Sequence, residues 1–340
     1  MKNHSEVHTP PIRVVALGGG TGLSMVLRGL KEHIPERGKR KPKQPISDLT
    51  AVVTVTDDGG SSGRLRREYR VLPPGDIRNC LVALSEDEHL LANLFQYRFP
   101  AGLGLAGHSF GNLFLTALTN STGDFAKAVQ VSAQVLAVRG RIFPSTAQNV
   151  TLEAELEDGT IVAGETSVSR SRKRIRRVRL VPRRVRPLPE VLDALRDADL
   201  ILIGPGSLYT SILPNLLVEQ MVEVIAHSNA TRVYIANLMT QPGETQRYSI
   251  ADHVRAIYEH TRPGLFDFAV INRTPVSRQL LRRYRVQGAE PVDPSFNELD
   301  KLGISYVTGD LLRQDGVVRH DQSLLAKVLL KEFAKRGARR

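Results

Sequence analysis

The chain has 340 residues, 41% hydrophobic and 24% charged, enough for one large globular domain or two ordinary ones. It has no tryptophan and 5% aromatics, which excludes an aromatic platform for single-stranded nucleic acid; one cysteine excludes an internal disulfide, and no apolar run approaches membrane-spanning length. The net charge of +12 is local, because Arg170 to Arg186 holds ten Lys or Arg and no acid, leaving about +2 for the remainder.

Residues 1–11 are polar and lack the apolar core of a signal peptide, so they read as a disordered tail on a cytoplasmic protein. Ile12 to Leu17 is an apolar strand that runs into Gly18-Gly19-Gly20-Thr21-Gly22-Leu23. Glycines at a strand end let backbone N–H groups approach a phosphate where a helix begins, so this turn is a candidate phosphate cradle. A dinucleotide fingerprint needs glycine at Leu23, and a Walker loop needs Lys where Leu23 stands, so neither signature is present. A basic cluster follows at Arg37 to Lys43.

A second apolar run ends in Thr54-Val55-Thr56-Asp57-Asp58-Gly59-Gly60-Ser61-Ser62-Gly63-Arg64. Asp57 and Asp58 suit water-mediated Mg²⁺ or ribose and base contacts, with Ser61, Ser62 and Arg64 beside them. Turn-building alone is the competing account of the acids. Pro73-Pro74-Gly75 stops the chain before a helix Asp76 to Ser85, in which Ile77, Cys80, Leu81 and Leu84 form a core stripe and Arg78 and Asn79 point elsewhere. Helices are also expected at Glu86 to Tyr97, Ser109 to Ser121 and Asp124 to Val138. In the helix from Ser109, the apolar stripe is Phe110, Leu113, Phe114, Ala117 and Leu118, with Ser109 as N-cap and Asn112 opposite. His108 is set among glycines and small polar residues and is the candidate general base; a structural loop histidine is the alternative.

At Gly140 the pattern changes. Thr151 to Glu157 and Ile161 to Ser167 read as strands joined by a hairpin at Asp158-Gly159, and the Arg-rich segment reads as a third strand with one solvated face. Residues 140–187 therefore form a small β insertion that interrupts one α/β domain of residues 12–139 and 188–335. No nucleic-acid motif accompanies the arginines, which leaves RNA binding as a distant alternative. Strands then resume at Leu200 to Ile203, Arg232 to Leu238 and Phe268 to Ile271, with Gln322 to Ala334 as the last helix. Gly204-Pro205-Gly206-Ser207 ends the first of these, and Ser207 and Thr210, with Asn237 and Thr240 on the next strand, complete a neutral anion cradle. The expected fold is a Rossmann-like, mostly parallel sheet covered by helices on both faces.

Six segments taken together resemble the CofD family: G-G-G-T-G-L, T-D-D-G-G-S-S-G-R-L-R, P-P-G-D-I-R-N, G-H-S-F-G-N, G-P-G-S-L-Y-T-S-I-L-P-N-L and N-L-M-T-Q-P-G-E-T. The longer second turn resembles the YvcK branch, the gluconeogenesis factors. That resemblance implies a cytoplasmic regulatory protein that binds UDP-sugars such as UDP-N-acetylglucosamine and serves cell shape and cell-wall synthesis during growth on gluconeogenic carbon, with wall-synthesis proteins as partners. The other branch implies a Mg²⁺-dependent phospholactyl transferase with the metal at Asp57 and Asp58. Val318-Arg319-His320-Asp321 resembles a segment of the YvcK branch, and Arg319 suits a diphosphate.

Overall fold

Strands buried on both faces need continuous apolar runs, and four segments supply them: β1 (Ile12–Gly18), β2 (Ile46–Val53), β7 (Leu200–Ile203) and β8 (Thr231–Ile235). A computed structural model describes residues 10–35, 45–86, 90–102, 104–171 and 173–337. Most of the N-terminal tail and the Arg37 to Lys43 cluster lie outside the described residues. With β3 (Arg141–Pro144), β9 (Phe268–Asn272) and β10 (Ser305–Gly309), these strands form one seven-stranded parallel sheet in the order β10-β9-β8-β7-β1-β2-β3. The order reverses between β1 and β7, where Val14 pairs with Leu200 and Leu17 with Ile203. In an open parallel sheet, the carboxyl ends of the two strands at such a reversal are splayed apart by their diverging connections and leave a crevice.

Helix α1 (Gly20–Lys31) leaves β1 directly and buries Leu23, Val26, Leu27 and Leu30, an i, i+3, i+4, i+7 stripe, against α3 (Gly75–Leu84) and the C-terminal helix Gln322–Gly337. Between α1 and α3 lies α2 (Gly60–Tyr69); α4 (Leu90–Gln96), α5 (Phe110–Thr122) and α6 (Phe125–Val135) follow. Cys80 is fully buried. Two expectations change here. Helix α5 buries Gly111, Asn112, Leu115 and Thr116, while Ala117 is exposed and Phe110 and Phe114 are only half-buried. The two rings instead pack edge-on against Phe95 of α4, and the small, polar face turns inward because Asn112 has a buried partner there. Arg78 is likewise buried, its charge satisfied by Ser109 and Asn79.

The inserted strands β4 (Thr151–Leu156), β5 (Ile161–Ala163) and β6 (Ile175–Val181) make a separate antiparallel sheet, β5-β4-β6, with Gly159 at φ +80° in the hairpin. Arg141–Pro144, counted with the insertion on sequence, is the edge strand of the main sheet. The strand expected over Ile161 to Ser167 ends at Ala163 and gives way to α7 (Glu165–Arg170). Gly164, at φ +90°, turns the chain so that the Thr166 amide and hydroxyl donate to Asp58 Oδ1 at 2.8 and 2.7 Å. Asp58 thus caps a helix that has no cap of its own, and so docks the insertion onto the main domain.

Candidate ligand-binding cleft

The turns after β1 and β7 meet across the strand-order reversal. A Cβ on Gly22 would stand 2.2 Å from the Pro205 carbonyl oxygen, and one on Gly19 would stand 2.7 Å from both Asp76 and Thr54, so only glycine lets the turns close together. Asn237, at the end of β8, clamps the second turn: its Oδ1 accepts from the Gly206 N–H at 3.1 Å and its Nδ2 donates to the Gly206 carbonyl at 2.8 Å. Above these turns opens a cleft of about 1110 Å³.

Gly19, Gly20, Thr21, Gly22, Asp76, Arg78, Asn79, Gly206, Ser207, Asn237, Thr240 and Arg319 line it. Helix α1 begins at Gly20 with no side-chain cap from Gly19 and no acid in its first turn; the Gly20 amide donates to Asp76, which leaves the Thr21 and Gly22 amides to an anion. Leu23, a candidate on sequence, does not line the cleft: its side chain lies in the core and its amide donates to the Gly19 carbonyl. The far wall comes from a hairpin of β11 (Leu312–Gln314) and β12 (Val318–His320), which brings Arg313, Arg319 and His320, and from the helix Arg278–Val286, which brings Tyr284. Arg28 and Arg98 add two more guanidinium groups.

A second group of the sequence candidates lies behind the cleft. Ser61, His108 and Asn112 are almost fully buried; Ser61 Oγ meets His108 Nδ1 at 2.9 Å and accepts from Asn112 Nδ2 at 3.1 Å. Ser109 caps α5 and accepts from Arg78 Nη1 at 2.6 Å. Ser62 packs against Gly75, Arg64 donates to the Ala106 carbonyl, and Thr210 donates to Glu244 at 3.4 Å. Gly204 holds φ +82° at the end of β7, below the cleft wall. Thr240 receives the Glu290 amide at 3.0 Å, tying the cleft rim to the segment after the helix Arg278–Val286.

Sequence reasoning missed Glu165, Gln241, Arg313, Tyr284 and the role of His320. Glu165 rides on α7 and reaches the cleft floor, where it accepts from Thr56 Oγ1 at 3.3 Å. Burial, then the charges of Asp57 and Asp76, push its carboxyl well up; burial and Asp57 push Asp76 up to about 6. His320 moves the other way: burial lowers it to about 4, against a hydrogen bond to the Ala236 backbone that favours the charged form, so the ring is neutral and its Nε2 has no partner. No local pattern joins a β-insertion glutamate to a C-terminal hairpin histidine; the fold alone unites them.

Asp58 is engaged by Thr166, and among the described residues no group of three or more His, Cys, Asp or Glu gathers to hold a metal. Asp57 keeps Oδ2 clear of its Oδ1 bond to Gly59, beside Gly75 and close to Asp76. Both adjacent acids are engaged through Oδ1 only, so Asp57 with Asp76 or with Asp58 offers the one or two carboxylates that Mg²⁺ takes, its shell completed by water and ligand phosphate.

The chain is thus an α/β protein with a parallel sheet and, at its strand-order reversal, a cleft lined by glycine turns and arginines. Residues 14–312 match the model of the 2-phospho-L-lactate transferase CofD family. Gluconeogenesis factors from Bacillus subtilis and Halalkalibacterium halodurans are 48% and 49% identical, covering 94% and 93% of this chain and 97% and 95% of theirs. A crystal structure of a UPF0052-family protein from Bacillus halodurans superposes with TM-score 0.88 at 47% identity, covering 94% of this chain and 99% of that one. The chain belongs to the CofD family and, within it, to the gluconeogenesis factors.

Proposed function

We propose that the protein is a cytoplasmic regulatory protein that binds a UDP-sugar of the UDP-N-acetylglucosamine kind across the β1–β7 cleft. The observation that carries this is the meeting of the Thr21 and Gly22 turn at the start of α1 with Arg28 and Arg319 on the same cleft, where Arg313 is paired to Asp315. Oriented amides and guanidinium groups on facing walls suit a diphosphate, and the neutral His320 Nε2 offers a buried acceptor to a nucleoside hydroxyl or N–H. The name shared with its relatives, with the resemblance of its motifs, supports a role on gluconeogenic carbon in cell shape and wall synthesis, acting through a wall-synthesis protein.

Calorimetric titration with UDP-N-acetylglucosamine tests it. Saturable binding is expected, weakened at least about tenfold in Arg319→Ala, as for loss of a charge-assisted phosphate contact. Equal binding of the two proteins contradicts the assignment. The convergence of Asp57 and Asp76 favours a second reading, a Mg²⁺-dependent phospholactyl transferase. In that case Mg²⁺ supplies charge neutralisation on the transferred phosphoryl group, while Asp57 and Asp76 hold it and α1 orients the donor. Steady product from guanylated phospholactate and deazaflavin, lost in Asp57→Asn, establishes the transferase; its absence over long incubation supports the sensor.

A further inference from the structure

A smaller cleft of about 490 Å³ lies between the insertion, the loop that follows β8 and the end of the helix Arg278–Val286. Its volume is within the range of small-molecule sites. Its lining carries four cations, Lys173, Arg174, Arg247 and Arg285, against two acids, Glu244 and Glu290. Two of the cations are committed: Lys173 pairs with Asp158, and the Arg174 guanidinium lies 5.9 Å over the Tyr248 ring. The guanidinium groups of Arg247 and Arg285 have no hydrogen bond or ion pair among the described residues. Two unneutralised arginines on one concave surface repel each other, and a dianion between them removes that repulsion.

Glu244 is the independent sign of a missing ligand. It is 6% exposed; its Oε1 accepts from Ser169 Oγ at 3.0 Å and from Thr210 Oγ1, and its buried Oε2 has no partner. An orphaned buried carboxyl oxygen in a native fold calls for an occupant. That oxygen is an acceptor, so the occupant it calls for carries a donor such as a hydroxyl, while burial shifts the carboxyl upward.

We propose that this cleft is a second, separate anion site, which takes the phosphate group of a small phosphorylated metabolite between Arg247 and Arg285, with a hydroxyl of the same metabolite donating to Glu244 Oε2. A phosphomonoester dianion matches two guanidinium forks in charge and in the planar pairing of oxygens. The loop couples it in space to the larger cleft: Thr240, Gln241 and Pro242 line the large one, Gly243 to Tyr248 bound the small one, and Ala289 lines both. A ligand that orders this loop in one cleft alters the other, and the coupling is reciprocal.

The test is calorimetric titration of the full chain with glucose 6-phosphate as probe and glucose as control. The proteins are wild type, the double variant Arg247→Gln with Arg285→Gln, and Arg319→Gln of the large cleft. Saturable binding of glucose 6-phosphate but not glucose is expected in the wild type, weaker by at least about tenfold in the double variant and unchanged in Arg319→Gln. Both arginines are exposed and without hydrogen bond or ion pair among the described residues, so the double variant keeps its unfolding midpoint; Arg285→Glu alone gives the same loss by charge reversal. No saturable binding to the wild type, equal binding to the double variant, or loss in Arg319→Gln overturns the proposal. So does binding of single-stranded RNA that depends on Arg247 and Arg285, since that makes the surface a nucleic-acid track. Whether UDP-N-acetylglucosamine binds does not enter the result.

Discussion

The large cleft and the buried cluster behind it are made from the same materials, glycines and short polar side chains at strand and helix ends, and they do opposite things. At the cleft the glycines remove side chains so that backbone amides face an open space. Behind it, Ser61, His108, Ser109 and Asn112 are buried and hydrogen-bonded, Ser61 to His108 and Asn112, and Ser109 to Arg78 at the cleft wall. Asn112 donates to Ser61, whose hydroxyl also meets His108 Nδ1 at 2.9 Å. Burial and the charge of Arg64 lower the His108 pKa, consistent with a neutral ring. A serine and a histidine in contact are here a fastening for the start of α2, held away from the cleft wall. Accessibility, which no motif encodes, separates recognition from scaffolding.

The comparison breaks most severely at Gly22. An alanine Cβ there meets the Pro205 carbonyl at 2.2 Å, and because the obstacle is backbone, the β1 and β7 turns must separate. Gly22→Ala is expected to lose about 3 kcal/mol or more in urea unfolding and to lose UDP-sugar binding as well, as overpacking costs run. Retained stability with retained binding would show that the turns are slack. Asn112→Ala is the counterpart behind the cleft. It deprives Ser61 of its donor and opens a small buried void, so a loss of about 2 kcal/mol is expected, with ligand affinity per folded molecule unchanged. A large affinity loss there would dissolve the distinction between the two regions.

The main sheet was legible because parallel strands buried on both faces write themselves as apolar runs, and the glycine turns at β1 and β7 mark their ends without ambiguity. The α5 surface was misread because Phe110 and Phe114 pack sideways on Phe95 rather than into the sheet, so the apolar stripe identified the satellite contact and not the inward face. At Asp57-Asp58 the residues were found but their shared role was not. Asp57 Oδ2 lies beside Gly75, and Asp58 caps α7 more than a hundred residues later, a pairing set by where the insertion docks. Glu165 was invisible for the same reason.

Within the cleft, Asp76 and His320 sharpen the comparison by titrating in opposite senses. Asp76, ordinarily near 3.8, is raised to about 6, so between those values the folded state holds a proton the unfolded state has lost, and stability falls as pH rises. His320, ordinarily near 6.5, is lowered to about 4, so the unfolded state binds the extra proton and stability rises with pH across that window. Part of Asp76 faces the cleft, where water screens it, so a swing of about 1–2 kcal/mol for each is expected. Urea unfolding from pH 4 to 7 should give Asp76→Asn a steeper rise with pH than wild type and His320→Gln a shallower one. Parallel curves for all three proteins refute the assigned directions.

The smallest effect belongs to the arginine stripe of the insertion, whose carboxylate partners lie on the neighbouring strand. On β6, Val178 and Leu180 are buried while Arg177 is exposed, and the cross-strand register sets Arg179 against Glu153, with an ion pair at 2.8 Å, and Arg177 against Glu155. Arg176 reaches Glu155 at 2.9 Å with most of its side chain in solvent. Pairs this exposed trade Coulomb attraction against side-chain entropy and are screened at physiological salt. Replacing Arg176, Arg177 and Arg179 together with Gln is therefore expected to change unfolding stability by less than about 1 kcal/mol, to leave UDP-N-acetylglucosamine affinity unchanged, and to reduce salt-sensitive retention on heparin. The insertion touches the cleft through α7, where Asp58 holds Thr166 and Glu165 reaches the floor, and not through its charged strand. Loss of ligand affinity in the triple variant, with stability kept, would mean that the stripe itself closes over the ligand.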